Sequence, residues 1–312
     1  MTFRRALANI ADYLTALRYR LEFRIRGHGY RLPLDRAARL FATLFERRLR
    51  SRGAWFVFDV DTDTYRLANV DGLESAISLS NVVREFARDG DIYRAIRFAD
   101  SMLLAVSCPK DWSTVKHQVL WDIQSNSLED QSDLTYNLSD QTHQVPVIYD
   151  PETKHILFLD SHMLIEMNVS EQMVEQAADE NLCAEAWNVL FIVREYAGVR
   201  YAIVTTHLPS KASLILAPNL RDIVEPSLGW PLFAVIPRRD FMFLYDARCF
   251  DKGAEDIFEK IPGLGNIVLE EFELGAYPLS TEIFKITDQG VRAVAEYRRH
   301  PPDGVAKAVP AE

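Results

Sequence analysis

Three carboxylates at two-residue spacing, Asp59, Asp61 and Asp63, follow the apolar run Trp55-Phe56-Val57-Phe58. An apolar strand ending in Asp-x-Asp is how haloacid-dehalogenase phosphatases present a nucleophilic carboxylate and its acid partner to phosphate and magnesium. Those enzymes want Thr or Val four residues after the nucleophile, where this chain has Asp63. They also need a later Lys and an acidic pair, and no such match follows. A hairpin turn accounts for the same residues, because Asp accepts hydrogen bonds from the backbone just after it. An EF-hand is excluded, with no Gly at the sixth loop position and no Glu at the twelfth. The chain therefore has no assigned catalytic residue and no assigned metal ligand. Asp59, Asp61 and Asp63 carry the alternative reading, a metal-dependent phosphoryl-transfer or hydrolytic enzyme.

Other chemistry-bearing patterns fail on context. Glu152-Thr153-Lys154 matches a magnesium-binding nuclease signature that belongs inside a strand, but it stands in the Pro-containing turn Asp150-Pro151. The seven His residues include no pair four apart on a helix, the spacing of a zinc site. Gly263-Leu264-Gly265 lacks a third glycine and follows Pro262 rather than a strand, so it cradles no phosphate. No G-x-S-x-G elbow supports a serine nucleophile. No cofactor is assigned. Cys108, Cys183 and Cys249 are scattered without CxxC spacing, which fits a reducing, cytoplasmic setting. The best binding group is Arg238-Arg239-Asp240, which joins two very apolar runs. Two guanidiniums and a carboxylate at a hairpin end can grip an anion or a partner, or can simply fix the turn.

The elements that must position these groups follow from periodicity. Phe3, Leu7, Ile10, Leu14, Leu17 and Leu21 step by four and three, which predicts a helix over 3–26 with Arg4, Arg5, Arg18, Arg20 and Arg24 off its apolar stripe. Pro33 and Asp35 open a second helix with Ala37, Leu40, Phe41, Leu44, Phe45 and Leu49 on its apolar side. Residues 54–60 and 65–70 predict a hairpin, Ile77 and Leu79 a short strand. Ser80 or Asn81 caps a helix to about Val106, bent or broken near Gly90, and Cys108-Pro109 closes the section. Residues 113–124 alternate as a strand, and 125–144 read as the longest loop. Strand pairs are expected at 145–149 with 155–160, 189–196 with 200–206, 232–237 with 240–246, and 284–287 with 291–295. Ser170 caps a helix bearing Met173, Ala177, Leu182 and Ala186. Helical pieces fall near 211–224 and 251–274. Hairpins without strand–helix–strand alternation predict an α+β fold, mainly antiparallel, with flanking helices. The expected sections are a basic amphipathic arm over 1–30, α+β sections over 31–110 and 111–297, and a disordered tail over 298–312.

The 312 residues carry 35 basic and 45 acidic side chains, a net of −10 that disfavours nucleic acid as a partner. Residues 1–52 nevertheless hold 13 Arg and 4 acids, so a basic arm precedes an acidic body. The arm's apolar stripe suits packing against the body, a protein partner or a second copy. Its basic side also suits an anionic membrane surface, engaged through residues 1–26.

From Leu34 to Tyr297 the sequence resembles the YtpQ-like family, a bacterial family of unknown function. Trp55–Leu67, Gln144–Asp160 and Ala177–Leu182 carry the resemblance, followed by Val235–Asp240 and Tyr277–Ser280. Asn181, in the third segment, joins Arg238, Arg239 and Asp240 as a binding candidate. The resemblance implies no catalytic role, and the helix at 3–26 lies outside it. The function expected on all these grounds is that of a cytoplasmic binding or interaction protein without catalysis of its own.

Overall fold

The computed structural model describes residues 32–61, 63–68, 74–107, 111–126, 132–150, 155–208, 210–261, 263–275, 277–299 and 306–310. The helix expected over 3–26 lies outside the described residues. The chain divides into two compact units, Met1–Pro109 and Lys110–Glu312. Each is α+β, and every strand pairing among the described residues is antiparallel.

In the first unit, α1 (Leu34–Ser51) starts after Pro33, with Asp35 in its first turn and Arg48 and Arg50 in its last, charges that suit the helix dipole. Its apolar face buries Ala37, Phe41, Leu44, Phe45 and Leu49. The sheet β1 (Trp55–Asp59), β2 (Thr64–Ala68) and β3 (Glu74–Ser78) runs in that order, so β1 is an edge. The helix expected from Ser80 to Val106 is two, α2 (Ser80–Asp89) and α3 (Ile92–Ser107), because Gly90 turns left-handed at φ 64°. Leu79 rather than Ser80 or Asn81 takes the N-cap. Phe41 centres the core, edge-on to Phe86 at 5.6 Å and Phe98 at 6.1 Å.

The second unit opens on a helix where a strand is expected. Residues 113–118 are helical, not strand: Asp111 accepts the Ser113 N–H and caps α4 (Trp112–Val115), and a 3-10 turn follows over Lys116–Gln118. The strand β4 (Val119–Ser125) starts only there, and it is buried on both sides rather than alternating. The expected loop over 125–144 also contains structure, β5 (Tyr136–Asn137) and the start of β6 (Thr142–Asp150). β6 pairs with β4, β5 and β7 (His155–Phe158). Asp160 is no strand residue but the cap of α5 (Ser161–Met167), accepting the Met163 N–H. Ser170 caps α6 (Glu171–Ala186) and Leu182 and Ala186 are buried, both as expected, but Val174 and Ala178 take the buried face in place of Met173 and Ala177.

The larger sheet adds β8 (Leu190–Tyr196) and β9 (Val199–Thr205), then, after α7 (Leu220–Val224), β10 (Leu232–Arg238) and β11 (Phe241–Asp246). Helices α8 (Asp256–Lys260) and α9 (Leu264–Leu274) precede β12 (Glu282–Thr287), β13 (Gly290–Arg299) and β14 (Ala306–Pro310). The strand order is β14-β13-β12-β10-β11-β9-β8, leaving β8 as an edge. The tail expected to be disordered from Arg298 thus continues β13 and supplies β14, paired from Arg299↔Ala306 to Ala295↔Pro310. Residues alternate between two cores. Ala202, Val204, Ala234, Ile236, Leu244 and Phe284 join the core that includes α6 and β4. Phe233, Val235, Tyr245, Ile283, Ala295 and Tyr297 pack with Ile257, Leu264 and Val268 of α8 and α9. Among the described residues no helix is long and apolar enough to cross a membrane.

Candidate interaction surface

The expected site residues divide by unit and by task. In the first unit, Asp59 Oδ1 accepts the Asp61 N–H at 3.0 Å and its other oxygen accepts from Arg66, also at 3.0 Å. Asp63 turns left-handed at φ 51° to bring the chain back into β2. These are the bonds of a hairpin turn. Among the described residues no three His, Cys, Asp or Glu side chains come together as a metal site.

In the second unit, Asn181 on α6 donates both amide hydrogens, to the Lys116 carbonyl at 2.7 Å and the Val119 carbonyl at 2.8 Å. Its donors thus clamp the helix to the turn that leads into β4. At the β10–β11 turn the guanidinium of Arg238 is also committed. Its Nε lies 2.7 Å from the Glu271 carboxylate and its Nη1 3.3 Å from Asp240, with the group over the Phe241 ring at 5.6 Å. Arg239 stacks on Tyr277 at 3.7 Å. Gly275 permits this arrangement: a Cβ there would sit 2.6 Å from the Glu271 carbonyl and 3.1 Å from Arg238 Cδ. The structure therefore brings Arg238, Arg239 and Asp240 together, far from Asn181 in role, and uses their charges to fix α9 and the 277–280 segment to the hairpin.

Two buried carboxylates have partners of opposite kinds. Asp246 is buried, and burial alone would raise its pKa; hydrogen bonds from the Arg248 side chain and backbone, with Arg200, outweigh this and hold it low. Glu282 is buried, and among the described residues no cation pairs with it. It accepts from Ser139 at 2.5 Å and Ser280 at 2.7 Å, while burial pushes its pKa up and Asp140 and Glu296 add to the rise. Gln141 accepts the Thr281 N–H at 2.9 Å in the same network, which sews the β5–β6 connection to the start of β12.

Part of one face of the larger sheet is open, and it is apolar apart from Arg194, exposed on β8 opposite Tyr201. On the face of the larger sheet that α8 and α9 cover, pairing places Ile192 opposite Ile203, Ile203 opposite Phe243, and Tyr201 opposite Tyr245. The α8–α9 cover does not extend to the β8 end. Leu190 is 58% exposed and Ile203 40% exposed, with Ile192, Tyr201, Phe241 and Phe243 half-buried beside them. Trp187, at the end of α6, is 63% exposed and leads directly into β8. These apolar side chains lie beside β8, which has no outer strand partner among the described residues. The sequence located both strands but not this patch, because both faces of β8 and β9 read as apolar and only the helix placement shows which is uncovered. Comparison of the chain with family models, with curated proteins and with solved structures finds no match.

Proposed function

We propose that this chain is a cytoplasmic binding protein that performs no chemistry of its own and engages another polypeptide through the β8–β9–β11 surface of its second unit. The observation that supports the reading best is the exposure of Leu190 and Ile203 on a sheet face whose other end is packed under α8 and α9. The commitment of Asn181, Arg238 and Arg239 to internal contacts favours this surface over the charged turn as the binding element.

The test is retention of partners on immobilised wild type and on Leu190→Asp/Ile203→Asp. The reading expects the variant to keep the wild-type melting temperature within a few degrees and to lose the polypeptides that wild type retains. Retention of the same polypeptides by both would refute it.

A further inference from the structure

The apolar patch has a charged wall. Ile267, Glu271 and Leu274 share one face of α9, at steps of four and three. Ile267 is 46% and Leu274 50% exposed. Glu271 holds Arg238, Arg238 lies over Phe241, and Phe241 meets Phe243 edge-on at 5.0 Å. Phe243 stands opposite Ile203. A continuous path of contacts thus runs from the exposed face of α9 down onto the exposed part of the sheet. Glu270 and Glu273 are exposed on α9, while Asp240 at the turn is held by Arg238. The whole unit is strongly acidic, with 17 basic and 32 acidic side chains over residues 110–312.

We propose that this surface takes a basic amphipathic segment of a protein partner, its apolar stripe on Ile203, Phe243 and Leu190 and its cationic side toward Glu270 and Glu273. The inference rests on the binding-protein reading and names the chemistry of the partner. Apolar contact supplies the affinity; the charges set the choice of partner and speed its approach. A segment with acidic flanks meets the same apolar floor but is repelled by the wall.

The probe is a fluorescent amphipathic peptide with Leu at positions i, i+3, i+4 and i+7 and Arg on its other side, titrated against the full chain. A second peptide carries Glu in place of each Arg. Saturable binding of the Arg peptide is expected, at least tenfold tighter than the Glu peptide at low salt. The preference should shrink as salt rises, and Ile203→Asp should abolish binding without changing the melting temperature. Equal binding of the two peptides, lost in Ile203→Asp, would overturn the basic partner while leaving the apolar binding surface intact. Binding unaffected by Ile203→Asp would place the peptide elsewhere and overturn the inference. A doubling of the chain's mass without peptide, reversed by Ile203→Asp, would put a second copy on the surface and overturn it as well.

Discussion

Buried charge is where single residues matter most. Among the described residues Glu282 pairs with no cation, and burial holds its pKa above the ordinary carboxylate value. A raised folded-state pKa favours the protonated form, so the stability Glu282 lends is complete below its unfolded pKa and lost as pH rises through the folded value. Glu282→Gln keeps an acceptor for Ser139 and Ser280 and removes the ionisation. Its melting temperature should gain on wild type as pH is raised from 4 through 8 in thermal scans, and a constant difference would contradict this. Asn181→Ala should cost about 2 kcal/mol in denaturant unfolding, through two lost hydrogen bonds at a part-buried site, while leaving partner retention unchanged. Asp61→Asn, at an exposed turn, should change stability by less than about 0.5 kcal/mol, and magnesium should shift the melting temperature of neither form. A magnesium shift present in wild type and absent from Asp61→Asn would restore the metal-dependent alternative. The turn was legible from Asp59, Asp61 and Asp63 because Asx bonding is local. The roles of Asn181 and Arg238 were not, since their partners Lys116 and Glu271 lie 65 and 33 residues away in the chain.

At the scale of elements, hairpins were readable wherever the turn chemistry was local. The pairs β6–β7, β8–β9, β10–β11 and β12–β13 are antiparallel as their spacing predicts. Readings failed where alternation was accidental. Val115 and His117 continue the period-two pattern of β4, but Asp111 caps a helix ahead of it. On α6 Leu182 and Ala186 are buried as expected, but the first half of the stripe was placed one residue off because Met173 is apolar yet lies 45% exposed. Met173→Ala should therefore stay within about 0.5 kcal/mol of wild type, while Leu182→Ala, which empties space in the core shared with β4, should cost about 3 kcal/mol. Equal costs by denaturant unfolding would mean that the helix presents the other face. The strand β14 had no such signal: Pro301, Pro302 and Pro310 read as disorder, yet Ala306–Pro310 occupies a sheet edge, where Pro is tolerated.

For the whole molecule, sequence alone supported the α+β class and the basic-then-acidic charge order, because composition and turn spacing are local properties. It did not show which apolar strand faces stay uncovered, because that depends on where α8 and α9 pack. A polypeptide seated on the β8–β9–β11 surface would slow hydrogen exchange there, which is read by comparing the chain alone with the chain bound to the polypeptide it co-purifies with. Slowed exchange is expected over 190–196, an edge strand with no outer strand partner among the described residues, and over 199–205, with little change around the β10–β11 turn. Protection confined to the turn at Arg239 and Asp240, with β8 exchanging as fast as in the free chain, would contradict it.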